Sequence, residues 1–281
     1  MENFVPRMNE RRVHVVPLGH EYDRIVTPLH RHGADVVYLL VSHPDRDADR
    51  GAVNFDVAWE DPDATDVDVE SLTEYQRDAL TTIAEFAEVR PLPVRLNDVY
   101  DVLGVATTVA AQHAVTDPDG DRLFANVSTG PRITAVGLAM ACMVVGARPY
   151  SVTPAEHNHN RAAESVTAGV DEIIDLPLYP VDGPSAEQVA ILGRIHEREA
   201  NNRTTDKWNL IEWAQDYELH FVVDAGGSRT AKYRALETHI LTPLRERGYV
   251  ELRSVGRSDD VHLTDTGRRV YYAFEHKNPT H

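Results

Sequence analysis

The stretch Asn126-Val127-Ser128-Thr129-Gly130-Pro131-Arg132 constrains the fold of this chain more than any other. It closes residues 122–127, which have the pattern of a short buried strand. It opens an apolar run in which Ile133, Val136, Met140 and Val144 recur at helical spacing, so the run is expected to be a buried helix. Gly137 and Ala141 allow a neighbour to pack closely against that helix. Gly130 supplies a turn conformation that other residues avoid, and Pro131 suits a first helical position. Strand, polar turn and helix in that order aim backbone N–H groups at one point. An anion is favoured there, and Ser128, Thr129 and Arg132 add donors. The same hydroxyls can also serve as plain helix caps.

The rest of the first two thirds fits this unit. Residues 12–18 read as a strand, 19–24 as a polar loop and 25–31 as a short helix. Residues 35–41 form a second strand, apolar almost throughout. Residues 43–70 are an acidic insertion, with 53–59 patterned as a marginal hairpin. A helix is expected over 71–89 and an edge strand with prolines over 92–96. Asn97 or Asp98 caps a helix to Gln112, and strands follow at 147–152 and 172–176. Strands without alternation suit a parallel sheet covered on both faces, joined by right-handed crossovers. Residues 1–178 are therefore expected to form an α/β domain, a Rossmann-like doubly wound parallel sheet. Ligands of such sheets bind beyond the carboxyl ends of the strands. Two polar turns fall there, 19–24 and 128–132. Neither carries G-x-G-x-x-G or a P-loop lysine, so ordinary dinucleotide or nucleoside triphosphate chemistry is not signalled.

Residues 179–186 read as a linker and 187–281 as a second domain. Amphipathic helices are expected at 187–199 and 207–216. After Gly226-Gly227, Ser228 caps a long helix striped by Tyr233, Leu236, Ile240 and Leu244, which Pro243 bends or divides. Gly248 ends it, a β-hairpin follows over 249–264, and a last helix runs to Glu275. Helices, then a two-stranded ribbon, then a helix is the order of a C-terminal winged helix-turn-helix domain. The segment 217–227 is longer than the usual tight turn before a recognition helix.

Charge sharpens the division. The formal net charge is -17, which taken whole disfavours nucleic acid. Residues 1–186 carry -16 of it, and residues 187–281 only -1. Between Arg229 and Arg257, seven basic residues stand against three acidic ones. Ser228, Arg229, Thr230, Lys232, Tyr233 and Arg234 open the recognition helix, where side chains meet base edges and phosphates; Arg253 and Arg257 sit on the wing. Much Asp and little Lys also fit a halophilic proteome, and full stability at low salt would remove that reading. The single cysteine, Cys142, forms no internal disulfide. The absence of a long apolar run or of a signal-peptide pattern points to a cytoplasmic protein with no membrane partner.

On Leu18-Gly19-His20 and Asn126-Val127-Ser128-Thr129-Gly130-Pro131-Arg132, together with the winged-helix pattern, the chain resembles a known family. These are the archaeal CRISPR-associated Rossmann-fold (CARF) winged-helix transcriptional regulators, particularly their haloarchaeal members. The resemblance covers nearly the whole chain apart from 43–70. It implies a homodimer that binds double-stranded DNA through its winged helices. It also implies a small nucleotide ligand, a cyclic oligoadenylate, across the two sensor domains, with no cofactor required. The ligand-binding residues it implies are Leu18, Gly19, His20, Glu21, Asp23, Arg24, Asn97, Ser128, Thr129, Gly130, Pro131 and Arg132. The ligand-facing turn departs from a plain anion site, because Glu21 and Asp23 add negative charge.

Three other readings compete. An enzyme such as a cyclic oligoadenylate-cleaving ring nuclease would use Ser128 or Thr129 as nucleophile and His20 as base, and no catalytic residue is otherwise expected. A winged helix can also serve protein contacts alone. Glu156-His157-Asn158-His159 offers a His-x-His pair without an obvious third metal ligand, so no metal is expected. His14 is read as structural or edge-exposed, and Cys142 as core packing.

Overall fold

The computed structural model describes residues 10–43, 55, 67, 71–117, 119–157, 165–255 and 258–280. The insertion at 43–70 with its hairpin, and residues 158–161, fall largely or wholly outside this set. The chain divides into two compact units, one ending at Asp182 and the other beginning at Gly183.

The first unit alternates strand and helix: β1 (Arg12–Pro17), α1 (Tyr22–His32), β2 (Val36–Ser42), α2 (Glu74–Ala84), β3 (Glu88–Val94), α3 (Val99–Gln112), β4 (Arg122–Asn126), α4 (Arg132–Val145) and β5 (Arg148–Thr153). A two-stranded ribbon, β6 (Glu156–His157) and β7 (Thr167–Ala168), and then β8 (Glu172–Asp175) complete it. The main sheet runs β3-β2-β1-β4-β5-β8, and β1 to β5 are mutually parallel. The strand order reverses direction between β1 and β4, so the two polar turns lie side by side at the topological switch point. Residues Ile25, Leu29, Leu80 and Ile83 of α1 and α2 pack on Val16, Val37 and Leu39. On the opposite face α3 and α4 pack together, and the Tyr38 hydroxyl lies 3.0 Å from His113 at the end of α3.

Several expectations need correction. The sheet is not wholly parallel: β8 pairs antiparallel with β5. A parallel return needs a long crossover, usually a helix, and among the described residues the connection shows only the short β6–β7 ribbon. The helix expected over 71–89 stops at Ala84, because Glu88–Val94 pairs with β2 along its whole length, from Val36 to Ser42. It begins in a capping box between Thr73 and Gln76. β3 is an edge strand, as its prolines required. His14 is not at an edge: it is fully buried in the central strand β1, stacked 4.8 Å from Phe124.

The largest correction concerns α4. Ile133, Val136 and Met140 are not core residues; they are 38%, 48% and 44% exposed. The buried face is instead Thr134, Gly137, Leu138, Ala141, Cys142 and Val145. A helix apolar all round cannot be phased by its periodicity. Small residues decide the phase here: a Cβ on Gly137 would stand 2.9 Å from Val102 and 3.0 Å from the Val99 carbonyl, so α3 approaches where α4 has no side chain.

The second unit comprises α5 (Ala186–Ala200), α6 (Lys207–Asp216), a one-turn α7 (His220–Val223), and a helix that starts as α8 (Arg229–Ala235). That helix passes through a π-helical stretch (Leu236–Leu241) and ends as α9 (Thr242–Glu246). The hairpin β9 (Val250–Val255) and β10 (Ser258–Leu263) and helix α10 (Asp265–Phe274) follow. The long segment 217–227 is filled by α7, whose Phe221 and Val222 are buried. Pro243 neither ends nor divides the long helix. It lacks the N–H that would reach the His239 carbonyl four residues back, the ladder widens to i→i+5 there, and Gln188 Nε2 donates to that carbonyl at 3.2 Å.

Candidate functional site

The turns after β1 and β4 interlock. Thr129, 1% exposed, donates its hydroxyl to the Pro17 carbonyl at 2.9 Å. Gly130 has φ +73°, and a Cβ there would lie 2.9 Å from Pro17 Cβ, so the position requires glycine. A Cβ on Gly19 would lie 3.0 Å from the Gly130 nitrogen, which brings the two backbones into contact. Leu18 is buried, and its carbonyl accepts from Gln76 Nε2 at 3.2 Å.

Asn126 organises the β4 turn. Fully buried, it accepts from the Ser128 N–H at 3.0 Å and from the Ser128 hydroxyl at 2.5 Å, and Ser128 Oγ accepts the Val152 N–H at 3.0 Å. Its Nδ2 donates to the Arg24 carbonyl at 2.9 Å. That carbonyl would otherwise lack a partner, because the residue four positions on is Pro28, which sits inside α1. Asn126 therefore repairs the helix that starts the neighbouring site turn.

The polar loop expected over 19–24 is shorter than that, because α1 begins at Tyr22 and takes in Asp23 and Arg24. Arg24 donates through Nε to the Val152 carbonyl at 3.0 Å and through Nη2 to the Ser128 carbonyl. Burial draws its pKa down from the ordinary arginine value, and the Glu21 carboxylate opposes this. Asp23 accepts the Gly169 N–H at 2.7 Å. Ser128, Thr129, Asp23 and Arg24 thus hold the scaffold with the groups that were expected to face a ligand.

Other groups remain at the surface. His20 is exposed, its ring 6.4 Å from that of Tyr75, and its carbonyl accepts from Ser165 Oγ at 3.1 Å. Burial raises the Tyr75 pKa. Glu21 Oε2 is shielded from solvent and has no hydrogen-bond partner among the described residues. Pro131 is the N-cap of α4 rather than its first helical residue, since its ψ of 150° is extended; Arg132 opens the helix, exposed. Asn97 is exposed beyond β3, two strands away from β1. The Thr134 hydroxyl donates to the Leu96 carbonyl at 2.6 Å and ties that turn to α4. Asp98, not Asn97, caps α3. The sequence assigns none of Tyr75, Gln76 and Pro28 to the site; Tyr75 reads there only as an apolar position of the helix over 71–89, and a proline inside a predicted helix is the one available signal.

In the second unit Ser228 caps α8, accepting the Ala231 N–H at 3.1 Å. Arg229, Thr230 and Arg234 are exposed, and Lys232 and Tyr233 are half-buried. Arg229, Lys232 and Arg234 form no ion pair among the described residues. By contrast Glu237 takes both Lys207 at 3.1 Å and Arg245 at 3.4 Å, and on the wing Arg253 pairs with Glu251. Arg257 lies outside the described residues. Two further candidates carry no site. Cys142 is buried, its thiol pushed up to about 12 by desolvation, and His157 is exposed in β6. Among the described residues no group of three or more His, Cys, Asp or Glu could hold a metal ion, and no helix is long and apolar enough to cross a membrane.

Fold and site define a two-unit protein: a Rossmann-like sheet of six strands, then a winged helix. Residues 12–157 match the HFX_2341_N-like N-terminal family model, and residues 187–275 match the DUF6293 C-terminal winged helix domain. The first match spans more than half of the chain, which belongs to that family. Similar solved structures include Enterococcus italicus Csm6 bound to cyclic hexa-2'-fluoro-hexa-dAMP, at TM-score 0.37 and 9% identity over 85% of this chain and 55% of that one. Can2 from Sulfobacillus thermosulfidooxidans in complex with cyclic tetra-adenylate gives 0.36 and 11% over 94% and 65%. Protein VC1899 from Vibrio cholerae gives 0.35 and 14% over 94% and 64%. The chain spans less than two thirds of the length of each. No curated protein matches it.

Proposed function

We propose that the chain is a ligand-responsive, DNA-binding transcription regulator of the archaeal CARF type. One observation carries this reading. Inside a strongly acidic protein, Arg229, Lys232 and Arg234 stand without an acidic partner among the described residues at the start of the long helix of a winged-helix unit, where that fold meets the major groove. The ligand proposed for the switch point is a nucleotide, with a cyclic oligoadenylate as the member that the family resemblance implies. The Glu21 oxygen, without a hydrogen-bond partner among the described residues, supports a nucleotide over a bare anion: it would repel the anion and accept from an exocyclic amine. The exposed Ile133, Val136 and Met140 on α4 support a homodimer, with a second copy covering them. Ligand would then act through its differing affinity for two placements of the paired winged helices. Ser128 is bonded to Asn126 rather than to an imidazole, which favours binding over hydrolysis.

The test is binding to the chain's own upstream DNA at high salt, titrated with cyclic oligoadenylates, with Arg229→Ala as control. Specific binding that weakens in the variant and shifts with one nucleotide is expected. Specific binding indifferent to every nucleotide would keep the regulator and remove the sensor. No specific binding at any salt would overturn the reading in favour of a protein-interaction module, and timed cleavage of the nucleotide lost in Ser128→Ala would make it an enzyme.

A further inference from the structure

Trp208 lies in the first turn of α6 and is only half-buried. The guanidinium carbon of Arg229 sits 4.3 Å from the centre of its ring and 5.7 Å from that of Tyr233. The two rings are themselves stacked, 5.9 Å apart at an interplanar angle of 23°. Arg229 and Tyr233 stand one helical turn apart, so both project from the same side of the long helix onto Trp208.

The charge of Arg229 is therefore seated over the Trp208 ring, while its N–H groups take no acceptor among the described residues. Arg229 makes no hydrogen bond or ion pair through its side chain among the described residues. Other arginines of the unit are engaged by their edges: Arg245 by Glu237, Arg253 by Glu251, Arg268 by Glu199, and Arg198 by the Thr204 carbonyl. A guanidinium whose centre is held against aromatic rings has a fixed position from which its planar fork of N–H donors can reach a partner. Its natural complement is a planar pair of acceptors, and in a major groove that pair is O6 and N7 of guanine. A lysine could neither stack in this way nor bond with two edges.

We propose that Trp208, with Tyr233, is the positioning residue that fixes Arg229 for bidentate recognition of one guanine in duplex DNA. The uncharged Trp208 thereby becomes a specificity-determining residue. The proposal rests on the DNA-binding reading above and deepens it by assigning one base contact.

The probe is a randomised duplex library presented to the full chain at fixed salt, with re-selection by Arg229→Lys, Trp208→Leu and Trp208→Phe. A wild-type consensus is expected to contain one G·C pair whose preference falls roughly 5- to 100-fold in Arg229→Lys, in proportion to a lost bidentate contact. Trp208→Leu is expected to lose the same preference with the salt dependence of binding unchanged, since no charge has been removed, and Trp208→Phe is expected to recover most of it. Should Trp208→Leu not fold, the contrast between Trp208→Phe and Arg229→Lys carries the test. A consensus unaltered in both Arg229→Lys and Trp208→Leu overturns the proposal while leaving DNA binding intact. So does a uniform loss of affinity in Arg229→Ala with the salt slope reduced by about one, the mark of a phosphate contact. Failure of the wild-type chain to enrich any sequence removes the DNA-binding reading itself.

Discussion

The switch-point turns of the first unit and the start of the long helix in the second are both polar, both stand out by residue type, and they are built in opposite ways. At the switch point the side chains turn inward: Asn126, Ser128, Thr129 and Arg24 bond to one another and to backbone. At the start of the long helix Arg229, Lys232 and Arg234 have no acidic partner among the described residues, while Lys207 and Arg245 share Glu237. The proposed ligand site would use its polar groups on its own scaffold and offer backbone and a few edges, whereas the proposed DNA site would keep its cations available for a polyanion. Composition alone does not separate the two.

The largest expected effect tests how far the switch point is scaffold. Asn126→Ala leaves the Arg24 carbonyl, which Pro28 cannot serve, and the Ser128 donors without partners, and should cost about 2–4 kcal/mol in chemical unfolding. A loss below about 1 kcal/mol would mean that the turn holds without it.

The same unit should be acid-sensitive through His14. Burial pushes its pKa down to about 3, whereas in the unfolded chain it titrates near 6.5. Between these limits the unfolded state binds the extra proton. Stability is therefore complete above about 6.5 and falls as pH drops, by up to about 1.4 kcal/mol per unit, or roughly 2 kcal/mol by pH 5. The carboxyl groups of Asp35 and Asp121, also held below their ordinary range, lose stability in the same direction. The difference in slope between the wild type and His14→Gln isolates the histidine, and equal slopes would refute its role.

Gln188→Ala repeats the Asn126 experiment at the surface. Gln188 bridges the carbonyl freed by Pro243, but water can replace it, so about 1 kcal/mol is expected in the same unfolding assay. If the two substitutions cost the same, burial is not what distinguishes the two sites.

On the DNA side, Arg253→Ala should weaken binding less than threefold in titrations in which Arg229→Ala costs tenfold or more, because Arg253 already pairs with Glu251. The smallest effect is expected for Val136→Ser on the exposed face of α4: monomer stability within about 0.5 kcal/mol of wild type, with self-association lost in sedimentation. A strongly destabilised monomer would return that residue to the core.

Much of this protein was determined by its sequence alone. Period and turn residues sufficed for the alternating strands and helices of the first unit, the edge position of β3 and the Ser228 cap. They also sufficed for the helix, hairpin and helix order of the second unit, because each of these follows from local preferences and short-range hydrogen bonds. Tertiary structure alone decided the rest. The inner face of α4 depends on how near α3 comes to Gly137, the end of α2 on competition from sheet pairing, and the direction of β8 on what lies between it and β5. The use of Asn126 and Gln188 to serve carbonyls that Pro28 and Pro243 leave without an N–H, and the seating of Arg229 on Trp208, join residues far apart in the chain. Such pairings carry no local signal, since a hydrogen bond or a stacked ring is set by where the backbone brings two groups and not by what surrounds either of them in sequence.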